Sequence, residues 1–203
     1  MKITILDILD INDKTSSFEI YFVLEAFWYD SDLTYTYLKD NYVGNMINSW
    51  LRDEIWTPNI QFIHKKSIDI LEEKMFIAKN ISSLPFVNEK SKIRMVEYYR
   101  GSENAIVYQM KITSSFSCSF RQIVHYPFGT EECQMRFYLT GRSNAVTTIH
   151  PKLVVSKMSS RVVQQFGVLN WTMGNETDPE TDERMVTVTG DRYFIDHRTI
   201  SFN

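Results

Sequence analysis

Residues 18–25 read Phe18-Glu19-Ile20-Tyr21-Phe22-Val23-Leu24-Glu25. Phe18, Ile20, Phe22 and Leu24 point one way, and Glu19, Tyr21, Val23 and Glu25 point the other. A period of two marks a strand with one buried face. The same alternation recurs along the chain. Ile106, Tyr108, Met110 and Ile112 oppose Val107, Gln109, Lys111 and Thr113. Phe116, Cys118 and Phe120 oppose Ser115, Ser117 and Ser119. Met135, Phe137 and Leu139 oppose Gln134, Arg136, Tyr138 and Thr140. Shorter strands are expected at 2–9, 60–63, 75–79, 92–99, 152–156, 166–173, 185–189 and 193–202. About ten strands joined by short polar turns read as an all-β sandwich or barrel. Met46, Ile47, Trp50 and Leu51 have helical spacing, enough for a turn or two. The stretch Gly174–Glu183 is polar and acidic and holds Pro179, so it is expected as an exposed loop.

The composition fits that reading. The chain has 203 residues, 43% hydrophobic and 14% aromatic, with only 7 Gly and 5 Pro. A chain of this size buries roughly 70% of its unfolded surface, enough for a real core. No shift in composition marks an internal boundary, so residues 1–203 read as a single domain. A net charge of −3 gives no basic footprint for nucleic acid. The most apolar run, Phe18–Tyr29, is interrupted by Glu19 and Glu25 and is too short to span a bilayer. The N-terminus, MKITILDILDINDK, lacks the apolar core and cleavage site of a signal peptide. Either Met1 begins a trimmed piece or the protein is cytosolic.

Catalysis finds little support. His64, His125, His150 and His197 are scattered without metal-ligand spacing. Asp178, Glu180, Asp182 and Glu183 lack the spacing and central Gly of a calcium loop and read as a solvated charge run. No phosphate-cradling Gly loop or convergent nucleophile and base is present. No enzyme activity, metal or cofactor is expected.

The two cysteines, Cys118 and Cys133, admit two readings. They are unrelated buried thiols, or one disulfide closing a loop worth about 3 kcal/mol. Sequons stand at Asn80, Asn170 and Asn175. Asn175, within the acidic loop, is the acceptor expected to be most exposed.

The segment Cys118-SFRQIVHYPFGTEE-Cys133 resembles the signature loop of the Cys-loop receptors, the pentameric ligand-gated ion channels. Its turn reads Tyr126-Pro127-Phe128-Gly129, with Gly129 where that family usually has Asp. Its Cys118-to-Pro127 arm is longer than usual by a residue. Trp28-Tyr29-Asp30 is similar to the family's Trp-x-Asp. Ile55-Trp56-Thr57-Pro58-Asn59 is similar to its Trp-x-Pro-Asp, with Asn59 for Asp. Leu9-Asp10-Ile11-Asn12-Asp13-Lys14 resembles the first β-turn of the nicotinic branch. The resemblance covers nearly the whole chain.

It implies an immunoglobulin-like β-sandwich, the extracellular ligand-binding domain of such a channel, with a Cys118–Cys133 disulfide. It also implies that the family's N-terminal helix and transmembrane region lie outside this chain. Partners would be like subunits in a homopentamer or heteropentamer, with a small-molecule ligand at the interface. The location would be the cell membrane, extracellular side. The alternative is a secreted pentameric binder of the acetylcholine-binding-protein kind. Gating would pass through Asp13 and Lys14 on the first turn and through Tyr126, Pro127 and Phe128 at the Cys-loop tip. The turn and the Pro127-Phe128 pair resemble cation-channel members.

The ligand-binding positions carried over are Val23, Glu25, Ile63, His64, Gln109, Lys111, Tyr138, Thr140, Trp171 and Tyr193. Cationic agonists are held by cation–π contact with several rings. Here Val23, Ile63 and Thr140 fall where the family has aromatic cage residues. Tyr138, Trp171 and Tyr193 are the rings that remain near, and Gln109 and Lys111 face the pocket from the complementary side. An incomplete cage implies an atypical ligand.

Overall fold

The computed structural model describes residues 1–12, 15–63, 65–87, 96–117, 130–140, 152–155, 166–177 and 184–194. In chain order these form β1 (Lys2–Asn12), β2 (Ser17–Trp28), β3 (Thr34–Thr36), a 3-10 turn (Tyr42–Asn45), α1 (Ser49–Arg52) and β4 (Asn59–Ile63). Then come β5 (Lys65–Ala78), β6 (Phe86–Val87), β7 (Glu97–Arg100), β8 (Ala105–Ser117) and β9 (Thr130–Thr140). β10 (Lys152–Val155), β11 (Phe166–Thr177) and β12 (Arg184–Phe194) complete the set. Three sheets result, ordered β10-β1-β2-β8-β5, β11-β12-β9-β4 and β3-β7-β6. β10 joins β1 in parallel, from Lys2 opposite Lys152 to Ile5 opposite Val155. No described helix is long and apolar enough to cross a membrane.

The chain divides into two compact units. The first holds Met1–Leu24, Pro58–Leu71 and Lys111–Asn203; the second holds Glu25–Thr57 and Glu72–Met110. In the first unit the alternation seen in sequence becomes a core. Ile3, Ile5, Phe18, Ile20, Phe22 and Leu24 are buried, as are Ile112, Phe116, Met135 and Phe137. Phe62 of β4 joins the two facing sheets. Its ring lies 5.9 Å from Phe22 and 6.0 Å from Phe116 on one sheet, and 5.8 Å from Phe137 on its own. Phe18 and Phe116 add a pair at 5.7 Å. Tilted and edge-on aromatic packing between inner faces is how a β-sandwich fills the gap between its sheets.

The second unit packs around Leu38, Met75, Ile77, Tyr99 and Ile106. Two buried asparagine side chains there are matched. Asn45 donates to the carbonyls of Lys39 and Ile77 and accepts from the Lys39 amide. Asn104, fully buried, donates to Ser83 Oγ and to the Arg100 carbonyl. Its Oδ1 accepts from the Asn80 amide at 3.0 Å. Pairing of this kind removes the cost of burying an amide.

Twelve strands are described where about ten were expected. β3 and β6, three and two residues long, are too short to display a period. β5 begins ten residues before the expected start at 75, because Lys65–Leu71 is mostly exposed and shows no buried row. Residues 46–51 supply the single helical turn their spacing allows. Met46 makes an isolated bridge with Phe76, and only Ser49–Arg52 closes a helical turn.

Candidate functional site

β2 and β8 are neighbours in the five-stranded sheet and carry four of the expected ligand positions. Val23 is buried, so it presents little surface. Glu25 and Gln109 are half-buried and meet directly: Gln109 Nε2 donates to Glu25 Oε1 at 2.9 Å. Both are in the second unit. A carboxylate held by an amide is oriented for a donor or a cation on a ligand. Lys111, on the same row of β8 as Gln109, is half-buried.

The four-stranded sheet carries the second set. Asn59 stands opposite Thr140, Gln61 opposite Tyr138, and Ile63 opposite Arg136. Cys133, Met135 and Phe137 of β9 are buried, so the alternate row faces away from the core. Ile63 and Tyr138 therefore share one face, and the Thr140 backbone pairs two residues farther along β9. The Tyr138 hydroxyl donates to Gln61 Oε1 at 3.0 Å, and Arg136 donates through Nε to Gln134 Oε1 at 2.9 Å.

The register fixes the backbone positions of the other two rings. Trp171 stands opposite Gly190, which stands opposite Cys133. Tyr193 stands opposite Thr130, whereas Met185 stands opposite Tyr138. That displacement of eight residues along β12 amounts to about 26 Å.

The first turn is braced where it is described. The Thr15 amide donates to Asn12 Oδ1 at 3.1 Å, Thr15 Oγ1 and Ser17 Oγ share a hydrogen bond of 2.7 Å, and Lys66 Nζ donates to the Thr15 carbonyl. Asp13 and Lys14 lie outside the described residues, as do His64, Cys118, Tyr126, Pro127 and Phe128. Cys133 is disulfide-bonded, and the chain holds one other cysteine, Cys118.

One sequon is not placed as expected. Asn175 stands in β11 opposite Val186, with strand pairing continuing to Thr177, so it does not begin an open loop. Asn170 also stands in β11, opposite Asp191 at a register shift. Asn80 is exposed on the turn between β5 and β6.

The tryptophan motifs come together. Trp28 and Trp56 meet edge to face, with centroids 5.7 Å apart. Beyond Trp28, the Asp32 amide donates to Asp30 Oδ1 and the Gly101 amide donates to the Leu33 carbonyl at 2.9 Å. A Cβ on Gly101 would lie 2.1 Å from the Asp30 carbonyl oxygen. Only glycine allows the two backbones to approach so closely.

One polar cluster had no signal in the sequence. Arg52 of α1 pairs with Glu73 of β5 at 3.0 Å and stands 6.0 Å from the Tyr108 ring centroid. The Tyr108 hydroxyl donates to Glu73, and burial together with that carboxylate pushes its pKa up. The three residues are far apart in sequence, and Tyr108 reads there as one more member of an apolar row. Elsewhere in the second unit, Lys79 pairs with Asp40 at 2.8 Å and lies 5.0 Å over the Tyr99 ring. The Lys79 ammonium, by hydrogen bond and charge, holds the Asp40 carboxyl below its ordinary range. Among the described residues, no three His, Cys, Asp or Glu side chains gather to hold a metal ion.

Comparison with known proteins adds two findings. The family model described as the neurotransmitter-gated ion-channel ligand binding domain matches residues 1–168. Over 70 residues the chain is 33% identical to a Caenorhabditis elegans protein named "Probable ligand-gated ion channel 46". That match covers 34% of this chain and 14% of the relative's length.

Proposed function

Because the chain belongs to the neurotransmitter-gated ion-channel ligand-binding domain family, we infer that it is the extracellular sensor of a pentameric Cys-loop ligand-gated channel. The observation that carries this is the family match over residues 1–168, which includes both tryptophan motifs and the Cys-loop segment. The family is one of binding domains, so its work is to bind and to move. Both compact units are read as parts of one ligand-binding domain, since β2, β5 and β8 each contribute residues to both.

Ligand sits between two like subunits in this reading. One side offers Glu25, Gln109 and Lys111. The other offers Ile63, His64, Tyr138 and Thr140. Head-to-tail contacts of this kind close into a ring when the rotation allows. Val23, Ile63 and Thr140 leave the cation–π cage incomplete, so recognition rests on the Glu25–Gln109 pair and on hydrogen bonds. Binding is passed to a membrane-side pore through the first turn, at Asp13 and Lys14, and through Tyr126, Pro127 and Phe128. A Cys118–Cys133 bridge makes that second segment stiff enough to transmit a displacement.

The test is voltage clamp of cells expressing the full-length protein, with a panel of small amines and amino acids applied outside. A saturable ligand-evoked current is expected. Saturable binding without current points to the secreted binder. Neither binding nor current from any member contradicts the reading.

A further inference from the structure

We propose that Asn80 carries an N-linked glycan and that Asn170 and Asn175 do not. The proposal rests on the extracellular reading above, which places the chain on the secretory route. Three observations support it beyond the sequon itself.

First, the turn is exposed and fixed. The Ser83 amide donates to the Asn80 carbonyl at 3.0 Å, and the Asn80 amide donates to buried Asn104. Ile81 and Ser82 occupy the tip between these anchors. Second, the hydroxyl that the sequon requires is turned toward the acceptor amide. Ser82 Oγ donates to Asn80 Oδ1 at 2.9 Å, and the Ser82 amide donates to the same oxygen at 3.1 Å. Both bonds use the amide oxygen. Third, the tip is unusually apolar for a solvated turn. Ile81 is 103% exposed and Leu84 is 79% exposed. Bare apolar tips invite association. A glycan rooted at Asn80 stands over them and keeps them from contact.

The other two sequons differ in kind. Asn170 and Asn175 are both paired within β11, with Asp191 and Val186 of β12 opposite. A sequon on a surface turn is the favoured acceptor.

The transfer balances simply. Asn80 Nδ2 attacks the anomeric carbon of an oligosaccharide carried on a polyprenyl diphosphate. The new N–C bond forms as the C–O bond to the diphosphate breaks, and the diphosphate leaves with the electron pair. The amide proton passes to a base of the transferase.

The test expresses the full-length protein in a eukaryotic cell and maps its peptides after enzymatic deglycosylation, which converts a glycosylated Asn to Asp. Asn80 is expected as Asp, and Asn170 and Asn175 as Asn. Ser82→Ala, which keeps Asn80, is expected to return Asn80 as Asn. Asn80→Gln is expected to lose one mobility step on a gel. The oxidation state of Cys133, read in the same digest, separates two failures. Oxidised Cys133 with unmodified Asn80 overturns the proposal and leaves the extracellular reading standing. Reduced Cys133 with unmodified Asn80 overturns both. Modification at Asn175 instead of Asn80 also overturns the proposal.

Discussion

Trp28 and Trp56 stand edge to face, with ring centroids 5.7 Å apart and planes at 88°. One belongs to Trp28-Tyr29-Asp30 and the other to Trp56-Thr57-Pro58, two of the short motifs that carry the family resemblance. Both are in the second unit, where Trp28 packs against the cluster of Leu38, Met75, Ile77, Tyr99 and Ile106. Edge-to-face pairs add about 1 kcal/mol beyond the area they bury. A double-mutant cycle with Trp28→Leu and Trp56→Leu should therefore give a coupling energy of about 1 kcal/mol in urea unfolding. Strict additivity of the two single changes would show that the contact contributes nothing.

Phe62 touches rings of both sheets in the first unit. Phe62→Ala should cost about 3–5 kcal/mol, the usual range for emptying a buried aromatic site. Phe62→Leu should recover a good part of that. The check is the denaturation midpoint at unchanged slope. A loss under about 1 kcal/mol for the alanine variant would mean that the core between the sheets does not depend on this ring.

At Gly101 a methyl group would meet the Asp30 oxygen at 2.1 Å and the Leu33 oxygen at 2.8 Å. Both are backbone atoms and cannot rotate away. Gly101→Ala should destabilise the protein by about 2 kcal/mol or more, although alanine ordinarily stabilises by restricting the unfolded chain. A variant as stable as the parent would contradict the close approach.

Tyr35 packs against the second core, and its buried hydroxyl has no hydrogen-bond partner among the described residues. Burial, reinforced by the Asp30 charge, raises its pKa to about 12. The folded state thus holds this proton more tightly than the unfolded state, whose tyrosines titrate near 10. The stability tied to that proton is complete below pH 10 and drains away as the pH rises towards about 12. Tyr108, also raised, acts in the same direction. Tyr35→Phe should gain about 1 kcal/mol at neutral pH by removing an unpaired polar group, and should flatten the alkaline loss. Unfolding midpoints at pH values on both sides of that range are the measurement. An unchanged alkaline slope in the variant would contradict this assignment.

The Gln109–Glu25 hydrogen bond supplies a functional prediction. Gln109→Leu and Glu25→Gln should each raise the half-maximal concentration of any compound that evokes current about tenfold, equivalent to about 1.4 kcal/mol. The double variant should be less impaired than the product of the singles, because the two groups act as a pair. Unchanged responses in both single variants would remove this pair from the ligand site.

Much of the fold was readable from residues alone. The row Phe18, Ile20, Phe22 and Leu24 is buried as its period requires. What escaped did so for physical reasons. The first half of β5 lies mostly exposed at a sheet edge, so no apolar row announces it. Gly174–Thr177 is polar and has few strand formers, yet backbone pairing to Arg184–Thr187 carries β11 through it. Within the candidate site, Glu25 and Gln109 were named separately from their strands, and the structure joins them. One strand alone does not disclose its offset against another, and the register sets the Tyr193 backbone far from Tyr138. The Arg52–Glu73–Tyr108 cluster draws on three distant elements, so no local pattern encodes it.

The proposed function requires this domain to work as one member of a ring of five. Electron microscopy of the full-length protein, affinity-purified from the membranes of cells that express it, tests that most directly. Five like domains arranged around a central axis are the expected image, whether the neighbours are identical or merely similar chains. Isolated single copies, or a closed ring with another number of members, would contradict it.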